Sequence, residues 1–129
     1  ESNWQTAMHK RMLNDYKAIQ GFDKWIGEVN RSHTKFLNDN VQKDDIVVTH
    51  HLPLHACVDA DMQGDALNCF YVNSMHDLIS RVQPKAWCHG HSHSFHDVIY
   101  GDTRVIRNPY GYHQSNGIDE RWKPLIVEI

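Results

Sequence analysis

The feature that most constrains this chain is the stretch of residues 86–93, where a short apolar run ends in a turn with a histidine at every second position. Alternate residues of an extended chain point to the same side, so His89, His91 and His93 could converge. Gly90 allows the backbone to turn sharply or to approach a ligand closely. Because neutral imidazole is the commonest protein ligand for transition metals, the stretch indicates a metal site.

A second histidine pair follows another predicted strand. Residues 46–48 form a continuous β-branched run, which predicts a strand buried on both faces of a parallel sheet, and His50 and His51 come directly after it. A predicted helix over residues 66–82 and a predicted strand over residues 85–88 complete a β-α-β unit. Neighbouring parallel strands lie about 4.8 Å apart, so we expect both histidine groups at the same edge of the sheet.

Two helices are predicted before the first strand. Apolar residues recur at three- and four-residue steps over residues 3–19 and again over residues 24–40. We expect the apolar face of each helix to pack in the core. His33, near the second face, is expected to be half-buried.

The last part of the chain predicts β structure. Residues 95–100 and 103–107 flank Gly101 and Asp102, which predicts an antiparallel hairpin with a two-residue connection. Residues 125–129 predict a final strand. The length of 129 residues and the absence of a composition break indicate a single α/β domain over residues 1–129.

The composition excludes some classes of protein. A net charge of −3 gives no electrostatic case for nucleic acid as a partner, although it does not rule out a nucleic acid substrate. No stretch predicts a membrane span or a signal peptide. The three cysteines are odd in number and lie among apolar residues, which favours a reducing compartment, so we expect a cytoplasmic protein.

Two sequence blocks together resemble a known family. V-V-T-H-H-L-P at residues 47–53, followed by W-C-H-G-H-S-H at residues 87–93, resembles the last two blocks of the calcineurin-like metallophosphoesterases. Residues 98–112 resemble the hairpin that follows G-H-x-H in the bacterial and phage members, so the match covers roughly residues 45–112. The resemblance implies a partial metallophosphoesterase sandwich that is the C-terminal portion of that domain: a β-α-β unit, an antiparallel hairpin and a C-terminal strand.

The resemblance also implies a reaction and its metal ligands. The reaction would be the hydrolysis of phosphate mono- or diesters by a metal-bound hydroxide at a site with two divalent ions: manganese, iron, zinc or nickel. His50 and His91 would bind one metal, and His93 the other. His51 is the alternative to His50 if the alignment shifts by one residue, and His89 is expected to support the ligands or to be structural.

Three further residues are candidates near the substrate. His55 lies in the loop after the first histidine pair, where it would donate a proton or contact phosphate; the alternative is a solvated loop residue. Asn68, near the start of the third predicted helix, and Arg107, at the end of the hairpin, are candidate substrate-binding residues. Their alternatives are a helix cap or surface residue for Asn68 and a hairpin residue without an anion for Arg107.

The chain also departs from the family pattern. Such enzymes normally begin with D-x-H, G-D-x-x-D and G-N-H blocks, which supply the other metal ligands, and this sequence contains none of them. We therefore expect the C-terminal half of an enzyme whose N-terminal half is removed, lies in a second chain or was lost in a non-catalytic relative. The first explanation is favoured because the chain opens without Met.

Half of such a fold would expose a strand edge, so we expect self-association or association with the missing half. Two other functions compete with the phosphoesterase. One is a regulatory or binding domain that kept the fold and lost the chemistry. The other is a module with a single metal held by His89, His91 and His93.

Overall fold

The computed structural model describes residues 10–111 and 122–128. The chain falls into two compact units, residues 1–40 and residues 41–129. The single domain predicted for the whole chain stays a prediction. Across the described residues, no helix combines the length and the apolar character needed to span a bilayer.

The first unit is helical. Helix α1 covers Asp15–Ala18 and helix α2 covers Phe22–Asn40, which confirms the second predicted helix. The helix predicted over residues 3–19 ends close to its predicted end, at Ala18, but it is interrupted at residues 13 and 14, between helical residues 10–12 and α1; residues 3–9 lie outside the described residues. No residue of α1 or α2 is buried, so the expectation that their described apolar residues are core residues was wrong.

The second unit contains a mixed four-stranded sheet. Its strands are β1 (Ile46–Val48), β2 (Ala86–Cys88), β3 (His96–Tyr100) and β4 (Thr103–Arg107), and their order across the sheet is β1-β2-β4-β3. β1 and β2 are parallel, and β3 and β4 form an antiparallel hairpin, as predicted. β4 returns to pair in parallel with β2. The fold is therefore mixed α/β, with β2 and β4 in the centre of the sheet and β1 and β3 at its edges.

Burial differs between the first two strands. Ala86 and Trp87 of β2 are fully buried, because β2 has a neighbour on each side. β1 lies at the edge of the sheet, and only Val47 is buried, while Ile46 and Val48 are exposed. The prediction that β1 is buried on both faces was therefore wrong. A run of β-branched residues does not distinguish an edge strand from a central strand.

The third predicted helix, residues 66–82, is broken into two. Helix α3 covers Asn68–Tyr71 and helix α4 covers His76–Val82. Between them Val72 forms a parallel bridge with Leu52, and the amide of Asn73 donates to the Leu52 carbonyl at 2.9 Å. These hydrogen bonds require an extended backbone, so a tertiary contact overrides the helical pattern of the sequence.

The predicted final strand is not formed over residues 125–128; Ile129 lies outside the described residues. A strand requires a partner for its backbone groups, and the sheet of the described residues contains β1, β2, β3 and β4 but not this segment. The segment is held instead by Asn108, whose side chain donates to the carbonyl of Lys123 at 2.9 Å. The described residues form one sheet, and the second sheet of the predicted sandwich stays a prediction.

A buried arginine ties the hairpin to the loop after β1. Arg107 is 1% exposed. Its guanidinium donates to the Ser94 carbonyl at 2.7 Å, to the Cys57 carbonyl at 3.0 Å and to the carboxylate of Asp59. Burial alone would raise the pKa of Asp59, but hydrogen bonds from Ser94 and Arg107 outweigh it and lower that pKa. Arg107 therefore holds the interior of this unit, and we do not carry it forward as a substrate ligand.

Replacing Arg107 should destabilise the chain far more than replacing the neighbouring arginine of the same strand. Arg107→Met removes the ion pair with Asp59 and the hydrogen bonds to the carbonyls of Ser94 and Cys57, which should lower the free energy of unfolding by about 3 kcal/mol. Arg104 pairs with Asp97 on the partly exposed face, where solvent screens the ion pair, so Arg104→Met should cost much less. Urea unfolding followed by circular dichroism measures both, and equal losses would contradict the prediction.

Candidate metal centre

Three histidine side chains meet where β1 and β2 end. One nitrogen from each of His50, His51 and His91 lies within 4.8 Å of the other two. Their ring centroids are 5.4, 5.5 and 5.5 Å apart, so the rings surround one point almost symmetrically. A tetrahedral ion with ligands at about 2.1 Å separates its nitrogen ligands by about 3.4 Å, so a small closure of the rings would accommodate one ion. We call these residues the three-histidine group.

The backbone beyond the strands brings the group together. The amide of Thr49 donates to the Cys88 carbonyl at 3.0 Å, and the amide of Gly90 donates to the His50 carbonyl at 3.0 Å. A Cβ atom at Gly90 would lie 3.3 Å from Nδ1 of His50, which is tighter than ordinary contact. Glycine at this position therefore lets the second histidine segment approach the first.

His91 occupies a strained turn. Its φ is +67°, and the amide of Ser92 donates to the Gly90 carbonyl at 3.0 Å, which closes a γ-turn centred on His91. This form of the γ-turn is rare and strained for a residue with a Cβ atom. Such strain costs about 1–3 kcal/mol and concentrates at functional sites. The turn directs the His91 side chain toward the histidines that follow β1.

His91 is kept neutral, which is the form that binds metals. Burial, together with the neighbouring His51 and His50, lowers the pKa of His91 to about 4. The ordinary value is 6.5, so this imidazole carries a free lone pair across the neutral pH range. Lowered proton affinity removes the main competitor of a metal ion at this ligand.

An aromatic ring stacks on the group. The ring centroid of Tyr71 lies 4.0 Å from that of His91, with 34° between the planes. Tyr71 ends helix α3, and its carbonyl accepts a hydrogen bond of 3.0 Å from the amide of Leu52. The bridge between Leu52 and Val72 thus connects Tyr71 to the segment that carries His50 and His51.

A cleft opens beside the three-histidine group. It has a volume of about 350 Å³, and His91 lies in its wall. Among the predicted residues, Asn68 and His93 also line this cleft. The side chain of Asn68 donates to the Met62 carbonyl at 2.9 Å, which fixes its position in the wall. Asn68 and His93 are therefore parts of the wall of the cleft that contains His91.

The structure brings together some of the predicted ligands and separates others. His50 and His91 belong to the three-histidine group, and His51 joins them as an additional member where the sequence predicted an alternative. Among the described residues His93 is not a member of this group; it lies beside His91 in the cleft and keeps its ligand role only as a prediction. His55 is exposed and lines a different cavity, so the geometry does not bring it to the group.

His89 faces the interior. It is 7% exposed, its Nδ1 lies 3.2 Å from the Gly90 carbonyl oxygen, and its Nε2 is buried without a hydrogen-bond partner. The alternative cluster of His89, His91 and His93 is therefore not assembled. The prediction assumed an extended backbone with alternating side chains, and the turn at His91 breaks that alternation.

Two residues at the site had no sequence signal of function. Tyr71 falls within the helix predicted over residues 66–82, and it lies twenty positions from His91 in the sequence. Asp59 lies in the loop after β1 and is the ion-pair partner of Arg107. The sequence could have predicted the ion pair only if it had shown that Arg107 is buried and needs a carboxylate partner. It does not show this.

Comparisons of this chain with protein-family models, curated proteins and solved structures find no match. The likeness to calcineurin-like metallophosphoesterases therefore rests on the two histidine blocks and the hairpin, and it stays a prediction.

The strain at His91 predicts a difference between two substitutions. His91→Ala and His91→Gly both remove the imidazole, but only glycine adopts a positive φ without cost. After the larger entropy of glycine in the unfolded chain is included, His91→Gly should be more stable than His91→Ala by about 0.5–1 kcal/mol. Urea unfolding of the metal-free variants measures this, and an alanine variant as stable as the glycine variant would contradict a strained turn.

The lowered pKa values predict a loss of stability on mild acidification. Burial lowers the pKa of both His89 and His91 to about 4 from 6.5. Between pH 6.5 and about 4 the unfolded chain binds protons on these histidines and the folded chain does not, so the free energy of unfolding falls as the pH falls through this range. Urea midpoints at pH 7 and pH 5 in the presence of a chelator should show this decrease.

His89→Gln removes one of these groups and should make the decrease between pH 7 and pH 5 smaller. Asp59 and Asp97 have pKa values lowered from 3.8, so they act below this window. An identical decrease in the variant and the parent would contradict the assignment to His89.

Proposed function

We propose that this chain holds one divalent transition-metal ion through His50, His51 and His91 and uses it in the hydrolysis of phosphate esters. The observation that supports the metal site is the convergence of three imidazoles at the carboxyl ends of two adjacent parallel strands. The hydrolytic reaction is supported by the resemblance of the two histidine blocks to the metallophosphoesterases. A second ion, which that resemblance implies, would need ligands outside the three-histidine group.

The residues present fit one such ion. Three imidazole nitrogen ligands with a fourth position left for water are the arrangement of catalytic zinc sites, and nitrogen ligands also suit nickel, cobalt and copper. A metal bound there would supply a Lewis acid and would lower the pKa of a bound water. The protein would supply a neutral His91, a cleft for the alcohol part of the ester, and Asn68 and His93 in the wall of that cleft.

The metal site is tested by titrating the metal-free protein with Co²⁺ and Zn²⁺. His50→Ala, His51→Ala and His91→Ala should each weaken binding by at least about tenfold, because each removes one of three ligands. His76→Ala is the matched control, since His76 is an exposed histidine of α4 that pairs with Asp77. Unchanged affinity in the three variants would contradict the metal site.

The reaction is tested with p-nitrophenyl phosphate and bis(p-nitrophenyl) phosphate in the presence of manganese, zinc, nickel or cobalt. We expect hydrolysis that requires added metal and that is lost in His91→Ala. Metal binding without hydrolysis of either ester would contradict the phosphoesterase and favour the second candidate, a binding domain. The observation that favours this second candidate is that the three-histidine group contains no carboxylate, within the part of the chain that the structure describes.

A further inference from the structure

Tyr71 makes the closest ring contact at the metal centre. Its centroid lies 4.0 Å from that of His91, whereas the histidine rings of the group are 5.4–5.5 Å from one another. The planes are inclined by only 34°, so the contact uses the faces of the two rings. The nitrogens of an imidazole lie on its edge. A ring stacked on the face of His91 therefore restrains its rotation without covering the ligand atoms.

Tyr71 is fixed to the same backbone segment that carries the other two ligands. The amide of Leu52 donates to the Tyr71 carbonyl at 3.0 Å, and the amide of Asn73 donates to the Leu52 carbonyl at 2.9 Å. Leu52 is 2% exposed and directly follows His51. These two hydrogen bonds tie the backbone of Tyr71 to the segment that carries His50 and His51, separately from the turn that carries His91.

His91 needs such a restraint because its own turn is strained. A residue at positive φ keeps that conformation only where its surroundings over-determine it. The amide of Gly90 is bonded to the His50 carbonyl, which fixes the start of the turn. The side chain beyond the turn is restrained by the stack with Tyr71.

We infer that Tyr71 is a positioning residue for the metal centre: its ring holds the His91 imidazole with its edge toward His50 and His51. This inference rests on the proposed metal site. The role assigned to Tyr71 is carried by its ring and requires no contact between its hydroxyl group and the ion. Because the stack already restrains the His91 side chain, His91 loses less conformational entropy when the ion binds. The effect of Tyr71 is therefore on the affinity for the ion and on the geometry of the bound ion.

The test compares three variants by Co²⁺ titration, by the visible absorption spectrum of the bound cobalt and by thermal unfolding of the metal-free protein. Tyr71→Leu removes the ring and should weaken Co²⁺ binding about tenfold and change the spectrum. Tyr71→Phe keeps the stack and should match the parent in both. Tyr100→Leu is the matched control, because it removes another tyrosine–histidine ring contact, with His76 at 5.8 Å, outside the group.

The possible outcomes distinguish the inference about Tyr71 from the proposed metal site. If His91→Ala loses cobalt while Tyr71→Leu keeps the affinity and the spectrum of the parent, the inference is overturned and the metal site stands. An equal loss in Tyr71→Phe and Tyr71→Leu also overturns it, since the stack would not be the cause. If His50→Ala, His51→Ala and His91→Ala all keep the affinity of the parent, the metal site fails and Tyr71 has no ligand to position. Should Tyr71→Leu not fold, Tyr71→Met removes the ring with a flexible side chain, and the same comparison applies.

Discussion

The parallel pairing of β1 and β2 is the constraint on which the rest of the site depends. The pairing continues past the strand ends, because the amide of Thr49 reaches the Cys88 carbonyl and the amide of Gly90 reaches the His50 carbonyl. A shift of register by one residue would turn every side chain of β1 to the opposite face of the sheet. The central position of β2, which is paired on both sides, protects this register. Two short histidine segments thus form a single group of imidazoles because the hydrogen bonds of the sheet hold them together.

The conformation of His91 is unfavourable by itself, and the rest of this unit must stabilise it. A γ-turn at positive φ is unfavourable for histidine, and a buried imidazole loses its preferred hydration. Several kcal/mol of favourable interactions elsewhere in this unit must offset these costs. The fully buried Trp87 and the hydrogen bonds of Arg107 supply part of that stability close to the site.

The three histidine neighbours at this turn have different tasks, which their environments decide. His89 faces the interior and is neutral because it is buried. His91 is directed to the group by the strained turn, and His93 lies in the wall of the cleft. Alternation along an extended chain would have placed all three together. The outcome shows that a single positive φ changes which imidazoles share a site, while the histidine blocks themselves remain good indicators of where the site lies.

Local sequence patterns by themselves determined the strands at residues 46–48 and 85–88, the hairpin around Gly101 and the position of histidines at the strand ends, because these features depend on residues that are close in sequence. The tertiary structure decided that His51 joins the group, that Arg107 is buried and that the segment of residues 66–82 breaks. Each of these depends on a contact between distant segments, such as the bridge of Leu52 with Val72 or the ion pair of Arg107 with Asp59. The spacing of apolar residues along a segment indicates which of its faces tends to be buried. Which partner that face meets is decided by hydrogen bonds and burial that form only when the whole unit folds.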